Sequence, residues 1–499
     1  MWVRRGVFLI VPLLIAAGLV LEAPAASAVI EHGPTVWNAS PAVDRGATFF
    51  GEPERFNRYY TDPSWTPLRT VFVSPSGGGS GATRGDPTTP HAAIADVRPG
   101  DLIQFEAGTY VGSGGSDASL NLGARDDGTY QEPIILRADR GPNGEYDVVF
   151  KDCGSRACIN MEFADYVAVD GFRFVSGAKG IRFAGDSSAP NIGGVALDNR
   201  TDGMGDDGIF TGRSDWLVVE GNHTSDSVDE HGIYVSNGGD FGILRGNESD
   251  GNNGTGVQIN ADPHFVCGHR LDAKACWGSA KNGLGNGISE FWLVEDNYFH
   301  NDQVGMNLTS VRNSIVRNNA VVWNDNHGVA IWQEVKANGG TGSVSPDQMD
   351  PRYGGKHMRI ADNVFAQTIG TNYALSIVSW ATKAQVVNNV FVGSGENHPL
   401  VNLDSSTADA SFSGNLFAAA GSIDGTRGTG DTVKANFDPG WFQQWDASGA
   451  SPFADLAPAD VAGSPVVSAA PFTSLAPEDA FGKARPLTTV DRGPIEVPA

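Results

Sequence analysis

"LVVEGNHTSDSVDEHGIYVSNGGDFGILRGNESDGNNGTGVQIN", from Leu217 to Asn260, says the same thing twice. An apolar-containing segment ends in Asn, as "VVEGN" at Asn222 and "ILRGN" at Asn247, and nine or ten residues later a short strand opens on Gly, as "GIYV" at Gly232 and "GVQI" at Gly256. The Asn marker recurs in both directions, at Asn199, Asn222, Asn247, Asn297, Asn319, Asn363, Asn389 and Asn415. Successive spacings are 23, 25, 50, 22, 44, 26 and 26 residues, so two gaps are about double the rest. The strand marker recurs as "GIFT", "GMNL", "GVAI", "ALSI" and "LVNL". Alternate residues in these strands are apolar, which is the pattern of a half-buried strand. Short strands on a period in the low twenties, bends of Gly and Asn and no helical period predict an all-β solenoid, a parallel β-helix.

One coil cannot bury its apolar residues alone, but coils stacked about 4.8 Å apart pair each strand with its copies above and below. An Asn column at a bend suits a residue that tolerates a left-handed backbone and hydrogen-bonds its stacked copies. The N-x-[ST] sequons at Asn199, Asn222 and Asn307 are read as ladder residues.

Composition narrows the function. Arg4 and Arg5 lead the apolar run "GVFLIVPLLIAAGLVL", and "APAASA" offers a cleavage site after Ala28, so residues 1–28 are expected to be a signal peptide. No other long apolar run exists, and an exported protein with no membrane partner is expected. The net charge is −24, and losing Arg4, Arg5 and Glu22 with the leader makes it −25. That field argues against nucleic acid as a partner. It also repels acidic polysaccharides unless the cleft is locally basic or holds a cation. Export permits disulfides, and of three connectivities the local pairs Cys153–Cys158 and Cys267–Cys276 are the simplest. Thiol spacings of five and nine, with no CxxC, do not suit zinc.

The chain resembles the secreted right-handed parallel β-helix proteins of the pectate-lyase-like superfamily. "VFVSPSGGGSGATRGDPTTPHAAIADVRPGDLIQFEAGTYVG" from Val71 is similar to their opening segment, with a capping helix near Pro90 to Val97. "AGSPVVSA" and "FGKARPLTTVDRGPIEVP" are similar to their closing segment. The resemblance implies a right-handed helix over residues 71–499, with a cap at 71–112 and an irregular closing segment at 416–499. Residues 29–70 are expected to pack along its flank. The fold hosts many activities and does not choose one.

The doubled gaps place the chemistry. One insertion runs from about Ala261 to Gly287, after "GVQIN", and the other from about Gln333 to His357, after "GVAIW". Both leave the end of one strand column, two coils apart, so two long loops should wall a cleft. By parity Tyr234, Gln258 and Asn307 face outward in one column of its floor, and Asn260, Thr309 and Trp332 in the next. Such residues offer a sugar directed hydrogen bonds and an aromatic face. The walls carry His264, Arg270, Lys274 and Lys281 on one side and Lys356 on the other, and His327 borders the floor. These six are the candidate catalytic residues, since basic groups on an acidic protein suggest recognition of a carboxylate. Asp206, Asp207, Asp229 and Glu230 precede strands one coil apart. Calcium would suit oxygens so placed, as would paired catalytic acids or plain solvation.

A secreted carbohydrate-active enzyme follows, with a polysaccharide lyase acting by β-elimination on a uronic-acid-containing polysaccharide as the leading reading. A lyase must neutralise the substrate carboxylate, by calcium or by Arg and Lys, and needs a base for the proton alpha to it. The alternatives are a glycoside hydrolase with carboxylates such as Asp207 and Asp229, a non-catalytic glycan-binding β-helix, and an epimerase. The last rests on "DPH" at Asp262–His264, which resembles the active-site motif of mannuronan C-5 epimerases, although Phe265 stands where those continue with a polar residue.

Overall fold

The computed structural model of this 499-residue chain describes residues 55–496, apart from 113–118, 187–188, 262–287, 337–344, 368–372, 394–399, 408, 419–426, 444, 446–452, 460, 462–463, 468 and 472. Three long parallel sheets of 12, 12 and 10 strands make up the fold. In each coil the chain runs through the first sheet, the second and then the third, as in Val218–Glu220, His223–Ser225 and Ile233–Ser236. The strands stack in register, Ile233 on Val257 on Met306 on Val329. The chain is thus an all-β parallel β-helix.

The Asn column is a continuous ladder at the bend between the first and second sheets. Asn247 donates Nδ2–H and its backbone N–H to Asn297 Oδ1, both at 2.9 Å. Asn297 repeats this on Asn319, and its Nδ2 also reaches the carbonyls of Leu244 and Glu295. The ladder runs from Asn199 to Asn415 and ends on Asp431. Asn247 bonds Asn297 directly and Asn319 bonds Asn363 directly, so each doubled gap is one coil carrying an insertion.

One detail of the bend differs from expectation. The left-handed residue is not the ladder Asn but the one before it, including Asp198, Asp296, Asn318, Asp362 and Asn388, with Gly at 221, 246 and 414. The preceding residue turns the chain and frees the Asn side chain to bond along the stack. Asn199 and Asn222 are buried ladder members, as expected of those sequons. Asn307 is not in the ladder; it lies on the third sheet.

The glycines that open the third-sheet strands have a different cause. A Cβ at Gly232 would lie 2.9 Å from the Gly256 carbonyl oxygen, and one at Gly256 the same distance from that of Gly305. Successive coils approach too closely there for any side chain.

The three outer faces differ. Phe56 and Tyr60 pack on the first sheet against Leu102, Ile135, Val195 and Val218. Beneath Tyr60, Arg245 pairs with Glu220 and Glu295, and Arg317 continues the row to Glu295. The closing segment reaches the same row, with the Leu475 carbonyl accepting from Arg317. Phe442, Phe453 and Leu456 cover part of the second sheet. The helix Pro90–Ala95 caps one end, where Thr89 accepts from the Ala92 N–H. Cys153 and Cys158 form a disulfide, while Cys267 and Cys276 lie outside the described residues, as do residues 1–54.

Two outcomes follow. Asn297→Ala should lower unfolding stability by roughly 2–4 kcal/mol, because it leaves buried donors and carbonyls unpaired. Urea denaturation measures this, and a loss below about 0.5 kcal/mol would contradict a structural ladder. The second concerns acid. Burial pushes the Asp207 and Asp362 carboxyls up to about 7, and pushes Asp215 and Asp240 upward too, the latter also through the charge of Asp215. A carboxyl whose folded pKa lies above its unfolded value of about 3.9 holds its proton better when folded. Its contribution is full below that unfolded value and lost as pH rises through the folded one. The thermal midpoint should therefore fall from pH 5 to pH 8, and a rise over that interval would refute this.

Candidate functional site

The third sheet carries an outward column of unusual length. It reads Asn121, Asn160, Arg182, Phe210, Tyr234, Gln258, Asn307, Ala330, Ser376 and Asn402, each beside its neighbour in the next coil. At about 4.8 Å per coil it runs for roughly 43 Å. At its far end an open cavity of about 260 Å³ is lined by His91, Ser119, Asn121 and Asp126. The adjoining column holds Ser236, Asn260, Thr309 and Trp332. Trp332 Nε1 donates to Asn307 Oδ1 at 2.6 Å, joining the two columns. Among the described residues, Gln258 Oε1, Asn260 Oδ1 and Thr309 Oγ1 are buried with no hydrogen-bond partner. The structure thus gathers the six expected substrate-binding residues, Tyr234, Gln258, Asn260, Asn307, Thr309 and Trp332, on one face.

A third column runs along the edge of that face, formed by the residue before each strand-opening glycine. It reads Lys179, Asp207, His231, Thr255, Val304 and His327. Charge concentrates at one corner. Lys179 Nζ lies 2.5 Å from Asp206 Oδ2 and 3.5 Å from Asp207 Oδ2. Asp207 Oδ1 accepts the His231 backbone N–H at 3.4 Å. His231 Nδ1 accepts the Thr255 N–H at 2.9 Å, and its ring meets Tyr234 edge-on at 4.8 Å. Burial pulls the His231 imidazole down to about 4, so at neutral pH it is uncharged and carries its proton on Nε2. Burial also raises the Tyr234 phenol, which stays protonated. Shifted groups clustered on a solvent-facing groove mark a candidate site of proton transfer.

The proposed calcium set takes another form. Lys179 supplies the positive charge beside Asp206 and Asp207, while Asp229 and Glu230 stand exposed on the next coil. A calcium ion at Asp206 and Asp207 would have to displace that ammonium. Among the described residues, the group of three close metal-type donors is His223, Glu248 and Asp250, on the second sheet. There His223 Nε2 lies 2.6 Å from Asp250 and Arg200 meets its Nδ1 at 2.9 Å, so both imidazole nitrogens are engaged by protein.

Of the six candidate catalytic residues, the structure describes two, His327 and Lys356. His264, Arg270, Lys274 and Lys281 lie outside the described residues. His327 stacks on Tyr373 at 5.9 Å; its Nδ1 is buried without a partner among the described residues, and burial lowers its pKa. Lys356 lies past the opposite end of the cleft strands, bridged between Arg312 and Thr382. With strands of six residues, that separates it from His327 by at least ~17 Å. Its pKa is lowered by burial, then by Arg312 and Lys383. The second insertion folds back on itself, with Val335 and Tyr353 packed against Ile288 and Arg352 paired to Asp350.

Lys179, Arg182 and Phe210 were not singled out from the sequence, yet the signal was there. "KGIRF", "DGIFT" and "HGIYV" share one register, and continuing the parity two coils earlier would have found all three.

No family model matches the chain, and no curated protein matches it. Solved structures do. Pectate lyase Pel9A superposes with a TM-score of 0.56 at 14% identity, covering 87% of this chain and 98% of its own. The complex of XylC with xylose gives 0.47 at 9%, covering 86% and 98%. An alginate lyase from Paenibacillus sp. str. FPU-7 gives 0.44 at 15%, covering 69% and 97%. At these identities the likeness is one of fold: this chain is a right-handed parallel β-helix like that of the pectate lyase.

Proposed function

We propose that the chain is a secreted polysaccharide lyase that cleaves a uronic-acid-containing polysaccharide on the outward face of its third sheet. The observation that carries this reading is the corner of Lys179, Asp207, His231 and Tyr234, set midway along a polar track tens of ångströms long. The track suits an extended polymer. The corner offers what β-elimination needs at one sugar.

The substrate carboxylate must be relieved of charge before its alpha proton can leave. A neutral His231 with Nε2–H is a donor for that group, and the Lys179 ammonium, which starts two coils back and reaches Asp206 and Asp207 on the coil between, adds positive charge toward it. Glu230, whose side chain is 55% exposed and whose Oε2 lies 3.4 Å from His231 Nε2, is the base for the C5 proton. Tyr234, held protonated, is the acid for the glycosidic oxygen. In the step C5–H passes to the Glu230 carboxylate, the C4–O4 bond breaks, O4 takes the phenol proton, and a C4–C5 double bond forms.

A hydrolase with Asp207 and Asp229 is less well supported. Its carboxyls would both have to face the sugar, and Asp207 is 2% exposed and engaged by Lys179. Pectate lyase and alginate lyase among the structures of like fold are consistent with an acidic polymer as partner. No described helix is long and apolar enough to cross a membrane.

Purified protein incubated with polygalacturonate or alginate should develop the ultraviolet absorbance of an unsaturated uronate. New reducing ends without absorbance would replace this reading by hydrolysis, and retention without product by binding alone. His231→Ala should lower kcat/KM by roughly 100-fold or more, and Tyr234→Phe should lower kcat by about 100-fold. Turnover within threefold of the parent in both variants would remove the corner from the mechanism. The His231 ring protons, followed by NMR from pH 8 to 5.5, should not titrate; a midpoint near 6.5 would mean a solvated imidazole.

A further inference from the structure

We infer that Arg182 and Phe210 form a second sugar subsite, which takes the carboxylate of a uronate two coils along the track from Tyr234; the inference rests on the lyase reading of the same face. Arg182, Phe210 and Tyr234 are consecutive members of the outward column. Two coils span about 10 Å, a length that matches two linked pyranose units in an extended chain.

Among the described residues the guanidinium is held through NH1. Its NH1 donates to Asn160 Oδ1 at 2.7 Å, and Asn160 Nδ2 donates in turn to Asn121 Oδ1 at 3.0 Å. This amide relay fixes the Arg182 side chain along the track. The same NH1 lies 3.4 Å from Glu162 Oε2. Among the described residues Nε and NH2 have no acceptor, and the side chain is 20% exposed. A guanidinium so anchored presents a free edge to a planar, two-oxygen ligand.

Local charge favours an anion. Glu162 is shared between Arg182 and Arg156, so one carboxylate answers two guanidiniums. That surplus of positive charge stands on a chain of net charge −24. Beside it, the Phe210 ring lies along its own strand over Gly212, where a Cβ would come within 3.1 Å of Phe210 Cε1. The glycine therefore lets the ring lie down as a platform. Arg182 Cζ and Lys179 Nζ stand 5.8 and 5.5 Å from its centroid, and Tyr234 meets it edge-on at 5.5 Å. Aromatic surface next to a guanidinium suits the apolar face and the carboxylate of one uronate.

The subsite makes the enzyme a reader of consecutive uronates. Affinity electrophoresis and kinetics on the full chain test it, with Arg182→Gln and Arg182→Lys compared with the parent on long polyuronate, on the shortest cleavable oligouronate and on a methyl-esterified polymer. Arg182→Gln should raise KM and weaken gel retardation on the long polymer by about tenfold or more, with kcat within threefold and no change on the shortest oligomer. The difference from the parent should vanish on the esterified polymer, and Arg182→Lys should recover part of the loss. Unchanged KM and retardation in Arg182→Gln, or an equal fall in kcat on every substrate, would overturn the subsite. A parent that shows no turnover but is retarded by polyuronate, with retardation lost in Arg182→Gln, would keep the subsite and sink the lyase reading.

Discussion

Everything in this fold depends on one hydrogen-bonded unit, the side-chain amide of an asparagine stacked on the next asparagine. Each Oδ1 takes two donors from the neighbouring coil, and each Nδ2 reaches a buried carbonyl, as Asn297 does with Leu244 and Glu295. A buried amide with any of these bonds missing is costly, so the bend cannot slip by a residue. The bend in turn sets the register of all three sheets. That is why side chains more than twenty residues apart in sequence line up in straight columns. It is also why two long loops can leave the third sheet without disturbing the stack.

The columns then divide labour among the faces. The first sheet hides charged residues such as Arg245 and Glu295 beneath the segment around Tyr60 and the closing segment near Leu475. The second is partly covered by Phe442 and Phe453. The third keeps Asn, Gln, Tyr, Phe and Arg side chains along its outward face. At its edge, Lys179, Asp207 and His231 follow one another up the stack. Burial there keeps the imidazole neutral and holds a proton on Asp207 to about pH 7. A neutral donor and a cation beside a polar track are the groups on which the proposed elimination rests.

Much of this could be read from the sequence because a solenoid writes its contacts at a fixed period. The Asn spacing identified the fold, and the two doubled gaps identified the loops, since Asn247 meets Asn297 and Asn319 meets Asn363 across them. Parity placed Tyr234, Gln258 and Asn307 in one column and Asn260, Thr309 and Trp332 in the next. Side-chain reach was not legible. Asp206 and Asp207 were read as half of a calcium site, and nothing in the spacing shows that Lys179 extends to both. His327 and Lys356 were grouped around one cleft, as a floor-edge residue and a wall residue, yet they sit at opposite ends of the strands. The turn residue was misplaced by one position, because a period fixes where a bend falls but not which residue takes the left-handed backbone.

The central claim is that the outward face of the third sheet, around His231 and Tyr234, is where an acidic polysaccharide binds. Hydrogen–deuterium exchange with and without an oligouronate tests it most directly. Slowed exchange confined to 180–184, 208–212, 232–236 and 256–260 is the predicted result. Protection that instead maps to 200–202, 223–225 and 248–250 on the second sheet, with the third unchanged, would contradict it.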